Sequence, residues 1–185
     1  MILTYNNFKI KFMEEVIMRF FHLAFMSLLM IIACAQNASV EIGFNDGVLL
    51  RGTYGDLIVR VTRIEVFQSG EFTEVWNGNT VVDIPINSDD YCSVTNGYIP
   101  ITSGSYKKMR ITIDSLSYKI DDTIVALLDS VYQFTANAFT DIIIEDNDEY
   151  RLVISIASTN WFDPDSQKIK TGYQPFEGAS LKVYY

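Results

Sequence analysis

Carboxylates are the groups in this sequence best placed to do chemistry, and they cluster twice, in Glu145-Asp146-Asn147-Asp148-Glu149 and in Asp163-Pro164-Asp165-Ser166. Hard carboxylate oxygens are what Ca2+ prefers, so Asp146, Asp148, Asp163 and Asp165 are weak candidate metal ligands. Neither cluster has the spaced ligands and glycine of an EF-hand loop. The apolar run Tyr150 to Ser158 also holds them about 30 Å apart if it is extended. Solvated turns are therefore the expectation, with no metal and no cofactor. Two carboxylates could hydrolyse a glycosidic bond, but no spacing selects a pair.

Acyl transfer is the next chemistry to weigh. Ser105-Tyr-Lys-Lys108, Ser88-Asp-Asp90 and Lys170-Thr-Gly172 copy the three boxes of serine β-lactamases and penicillin-binding proteins. That chemistry needs its Ser and Lys one helical turn apart, whereas residues three apart in a strand point to opposite faces. The boxes also come in the wrong order. The single histidine, His22, lies in the N-terminal apolar run, which leaves the rest of the chain without Ser-His-Asp or Cys-His catalysis or a His-containing zinc site. Cys92, in Ser88-Asp-Asp-Tyr-Cys-Ser, has no nearby cation to activate its thiol and reads as inert. An enzyme is not expected.

Binding is a better prospect. Trp161, Phe162, Tyr173 and Phe176 fall in Thr159 to Gly178, the longest stretch without alternation. Aromatic side chains on a loop stack on sugar rings or anchor a protein partner. They also plug the open end of a sandwich. This segment is the candidate binding loop.

The elements that must position these residues have a period of two. Val40, Ile42 and Phe44 alternate; Leu57, Val59 and Val61 alternate and then change phase to Ile64 and Val66, which predicts a bulge near Thr62-Arg63. Asn77-Gly78-Asn79 reads as a hairpin turn. Further short apolar stretches continue to Tyr185, and Asp121 to Ser130 is the one place for a short helix. The run Tyr150 to Ser158 is apolar on both faces, which predicts a central strand. The expectation is all-β: an antiparallel β-sandwich, Ig-like or prealbumin-like and of Greek-key type, with about 8–10 short strands. Residues 39–185 would form this single domain.

The N-terminus sets the expected compartment. Phe20 to Ala33 is apolar except for His22 and Ser27 and follows Arg19; at fourteen residues it is shorter than the roughly 20 needed to span a bilayer. A cationic start, an apolar centre and a small residue before a cut make a helical signal peptide, residues 1–33. Its end, Ile31-Ile32-Ala33-Cys34, resembles a bacterial lipobox, which implies acylation of Cys34, a lipidated tether over 34–38 and membrane attachment through the lipid. With Ala35 after the cysteine, the resemblance implies the outer membrane in a two-membrane host. Residues 1–17 carry Glu14 and Glu15 where cations belong and read as an untranslated leader before Met18. Of 14 basic and 23 acidic side chains, residues 1–33 hold Lys9, Lys11 and Arg19 with Glu14 and Glu15, so the remainder is near −10. Such a surface repels phosphate backbones, and no nucleic acid partner is expected.

Val82-Asp83-Ile84, followed by Ile101, Gly104, Tyr106, Met109, Arg110 and Ile111, resembles a family of bacterial and archaeal secreted lipoprotein domains of unknown function. Its marks are a Val-Asp-Leu strand and an L-x-A-G-x-Y-x-x-I-R-L segment. The resemblance implies a prealbumin-like or carboxypeptidase-regulatory-like sandwich and carries over no catalytic residue. On physical grounds Gly104 supplies a turn and Tyr106 bonds its hydroxyl to backbone in the manner of a tyrosine corner. Arg110 is expected on Tyr106's face, and the three read as a structural turn. The reading as a whole is a lipid-anchored envelope protein that works as a non-catalytic binding or adhesion module, with a glycan or an envelope protein as partner. An assembly subunit of an envelope complex is the alternative, and a small carboxylate-dependent hydrolase the second.

Overall fold

Apolar and polar side chains alternate along nearly every strand of this molecule, and each break in the alternation marks a place where the backbone changes face. The computed structural model describes residues 37–47 and 55–184; the expected signal peptide and Cys34 lie outside the described residues. The elements are β1 (Asn37–Asn45), β2 (Asp56–Gln68), β3 (Glu71–Pro85), β4 (Cys92–Ser93), β5 (Ile99–Thr102), β6 (Gly104–Ile120), β7 (Thr123–Leu128), β8 (Tyr132–Ile144), β9 (Glu149–Ser155), α1 (Ser158–Trp161), β10 (Phe162–Asp163), β11 (Lys168–Ile169) and β12 (Ser180–Tyr184). Thr123–Leu128 is a strand on β6, not the short helix that its sequence also allowed.

The described chain is mostly β. Ten strands make one sheet, ordered β3-β2-β6-β8-β12-β9-β1-β4, with β5 also on β1 and β7 also on β6; β10 and β11 form a separate hairpin. The sheet curls until β3 approaches β4 and β5, so it is nearly closed into a barrel. The apolar faces of its strands meet inside in one core, with Ile42, Phe44, Ile111, Ile113, Leu152 and Ile154 among its members.

The purely antiparallel arrangement is corrected. β1 runs parallel to β9 from Ser39↔Glu149 to Asn45↔Ser155, and β12 meets β8 in parallel at Ser180↔Asn137. Alternation reports which face a residue takes and carries no information on the direction of a distant partner. β9 is central, as its two apolar faces predict: its inner face joins the core, and the outer face near Val153 lies by Gly43, over which Tyr91 folds.

The strands are also longer than expected, in part because a polar interruption that read as a turn is a bulge. The register of β2 shifts between Val61 and Arg63 as predicted. Asn77-Gly78-Asn79 makes no turn: β3 passes straight through it, with Val61 opposite Thr80 and Arg63 opposite Asn77. The hairpin instead reverses at Ser69-Gly70, where both residues have positive φ (53° and 94°) and Gln68 pairs Glu71, as a two-residue type I′ turn requires.

One polar cluster ties the end of β1 to the β3–β4 connection and to α1. Asp46 is fully buried; its carboxylate accepts the Asn87 N–H at 2.9 Å, the Ser158 N–H at 2.8 Å and the Ser158 hydroxyl at 2.7 Å. No side chain of α1 itself caps its first turn, so Asp46 supplies that acceptor from across the fold.

A Cβ on Gly43 would lie 2.4 Å from the Cys92 carbonyl oxygen and 2.7 Å from the Tyr91 ring. Gly43→Ala is expected to destabilise the fold by about 1–3 kcal/mol through overpacking, read as a lower urea midpoint.

Candidate functional site

The candidate binding loop is a packed platform. Trp161 is fully buried and its Nε1 donates to the Ile156 carbonyl at 3.0 Å. Phe162 packs on Tyr118, with ring centroids 4.9 Å apart, and Phe176 stacks on Phe134 at 4.2 Å and 12°. Trp161, Phe162 and Phe176 thus close the end of the barrel and present no surface to a ligand; Tyr173 alone, 46% exposed, faces solvent. The Tyr132 hydroxyl donates to the Pro175 carbonyl and the Lys170 N–H to the Trp161 carbonyl, fixing the loop from two sides. Nothing in the spacing of these aromatics distinguishes a plug from a contact surface, since both want flat rings near a sheet end.

The acidic clusters sit at opposite ends of β9. Asp163 accepts the Asp165 N–H and the Ser166 hydroxyl within its own turn, and those bonds, the Ser166 hydroxyl foremost, hold its carboxyl below the ordinary range. Asp148 accepts a hydrogen bond from the Tyr150 hydroxyl at 3.4 Å, and Asp146 is exposed in the turn before β9. Among the described residues no three His, Cys, Asp or Glu side chains converge as metal ligands would. Cys92 is half-buried, and burial pushes its thiol up, with Asp90 and other carboxylates adding to the shift, which disfavours the thiolate.

Gly104 begins β6 at φ 149°, and a Cβ there would press on the Gln68 amide. Here the chain crosses from β5, which pairs β1, to β6, which pairs β2 and β8. Tyr106 is buried and its hydroxyl donates to the Thr102 carbonyl four residues back. Arg110 does not share Tyr106's face. The register of β6 slips between Tyr106 and Lys108, so that Tyr106 and Met109 point inward and Arg110 outward. There the guanidinium grips Glu65 through two hydrogen bonds of 2.7 and 2.6 Å and lies 4.2 Å from the Phe72 ring centroid. Glu65 is buried, and the Arg110 hydrogen bonds, outweighing desolvation, hold its carboxyl below the ordinary glutamate range.

The same slip forms a groove that the sequence pattern conceals. Strand periodicity places Ser105 and Lys108 on opposite faces; with Lys107 bulged between them, both line one open groove of about 350 Å3 together with Phe67, Gln68 and Asp141. The Ser105 hydroxyl donates to Asp141 at 3.0 Å and Lys107 pairs with the same carboxylate at 2.9 Å. These contacts, Lys107 first, hold Asp141 below the ordinary carboxylate range, and a carboxylate so stabilised does not draw a proton from a serine. The other two boxes of the acyl-transfer mimic lie at the far end of the sheet, where Ser88 accepts the Asp46 N–H and Lys170 bonds Trp161. The three boxes therefore do not converge on one site.

Comparison with known proteins returns no matching family model, no matching curated protein and no matching solved structure.

Tyr106→Phe removes the bond to Thr102 and leaves a buried carbonyl without its donor; a loss of about 1–2 kcal/mol is expected by chemical denaturation. Because Glu65 is held below its unfolded value, its contribution is complete above the ordinary glutamate range and is lost as pH falls through the lower, folded value. Glu65→Gln should therefore lower stability at neutral pH and flatten the acid limb of a urea-midpoint profile relative to wild type.

Proposed function

We propose that this chain is a lipid-anchored, non-catalytic binding module of the cell envelope, held to the membrane through Cys34 and presenting its far end to a glycan or an envelope protein. The observation that carries the reading is the placing of the two ends of β1. Asn37, where the tether would enter, pairs with Thr102, and Ser39 two residues on donates to the Asp148 carbonyl, whereas Asn45 and Asp46 meet Ile156 and Ser158, at the base of the Thr159 to Gly178 platform. β1 is nine residues long, so about 30 Å separates its tether end from the platform. Tyr173 faces solvent on a loop whose conformation is fixed before a partner arrives, and preorganisation lowers the entropic cost of binding. The resemblance to secreted lipoprotein domains supports the same reading, with the sheet as a variant of a prealbumin-like sandwich and the outer membrane as its site in a two-membrane host.

Assembly into an envelope complex is the second reading. It rests on Val81 of the edge strand β3 and Ile124 of β7, each more than half exposed on a strand with an open side.

Expressed in a bacterium with lipoprotein-processing enzymes, the chain should fractionate with membranes and give an intact mass that begins at Cys34 with acyl chains on its thiol. Cys34→Ser should move it to the soluble fraction. Wild-type protein that is soluble, with an unmodified thiol, overturns the anchored reading.

A further inference from the structure

The groove beside Ser105 stands apart from the platform, and its shape comes from two ladder defects on either side of β6. β8 pairs Ile142 with Tyr106 and Asn137 with Lys108, so Ala138 to Asp141 lie opposite Lys107 alone. Four residues against one is a large excursion, and Phe139 within it is 95% exposed. On the other side of β6, backbone pairing with β2 stops at Val66↔Met109, and beyond it the Gln68 side-chain amide donates to the Ser103 carbonyl at 3.5 Å. Bulges of this kind re-aim side chains beside functional sites, and the space they open is the size of a small-ligand pocket.

The chemistry of the lining narrows the ligand. Lys107 is neutralised by Asp141. Lys108 has no carboxylate within ion-pair distance among the described residues; its ammonium lies 5.4 Å from the Phe67 ring centroid. Ser105 and Gln68 add a hydroxyl and a side-chain amide, the donors and acceptors that sugar hydroxyls pair with. With Lys107 and Asp141 offsetting each other, the one uncompensated ammonium matches a single carboxylate rather than the double charge of a phosphate ester. Phe139 does not line the groove, but it lies two residues along the chain from Asp141 in the same excursion and offers a free ring for the C–H face of a sugar that extends beyond it.

We propose that the groove between the β2–β3 turn and the facing bulges of β6 and β8 binds an acidic saccharide, its carboxylate held by Lys108 and an adjoining ring stacked on Phe139. This goes beyond the anchored-module reading and does not depend on Cys34.

Calorimetric titration of the full chain with digalacturonate and trigalacturonate, against neutral galactobiose, tests it. The acidic sugars should bind about tenfold or more tighter than the neutral one, and Lys108→Ala and Phe139→Ala should each weaken them about tenfold at unchanged Tm, with Lys108→Arg close to wild type. Both variants alter exposed side chains, so the fold itself is not at risk. No heat with any uronate, equal affinity for galactobiose, or wild-type affinity in both alanine variants overturns the proposal. So does binding of an acidic hexapeptide to the same groove in place of the sugars.

Discussion

The buried carboxylate of Asp46 is the joint on which the platform end of the sheet depends. A carboxylate removed from water is costly unless its oxygens are bonded, and here three donors from two distant segments converge on it. One is the backbone of the β3–β4 connection; the other two belong to the first residue of α1. Satisfying a single side chain therefore fixes the exit of β1, the exit of β3 and the start of the platform at once. The aromatic plug of Trp161, Phe162 and Phe176 then packs against a floor already set by polar contacts, and dispersion among the rings does the rest.

Bulges do the corresponding work at the opposite end of the sheet. β6 is seventeen residues long, and a strand of that length in a closing sheet has to bend and twist; an extra residue lets it do so without losing its apolar face. Each slip also turns a neighbouring side chain outward. The slip at Lys107 sends Arg110 to Glu65 and brings Ser105 and Lys108 into one groove, while the slip at Thr62 keeps Ile64 and Val66 in the core. The same device that closes the barrel supplies its most unusual surface.

Much of the architecture was legible because alternation is a local property. The apolar faces of β1, β2, β9 and β12 could be read residue by residue, the bulge near Thr62-Arg63 showed as a change of phase, and Tyr106 two residues after Gly104 marked a chain reversal. Two kinds of information were not local. Whether a polar interruption is a turn or a bulge depends on the strand across from it, so Asn77-Gly78-Asn79 read as a hairpin while Ser69-Gly70 made one. Strand direction depends on partners more than a hundred residues away, as for β1 and β9. The groove was hidden for the first reason: a slip of one residue at Lys107 overturned the rule that Ser105 and Lys108 must face apart. The platform aromatics were visible as a group, but whether they face inward or outward depends on the buried end they happen to fill.

The position of β12 has a bearing on how the chain reaches this state. Residues 180–184 lie between β8 and β9, bonded along their length to β9 and at a single pair to β8. β8 and β9 are joined by a short turn and would otherwise close on each other as an ordinary hairpin. The middle of the sheet thus waits for its final segment, and β1, made first, waits for β9. A polypeptide with such late-arriving partners stays open while it is being made.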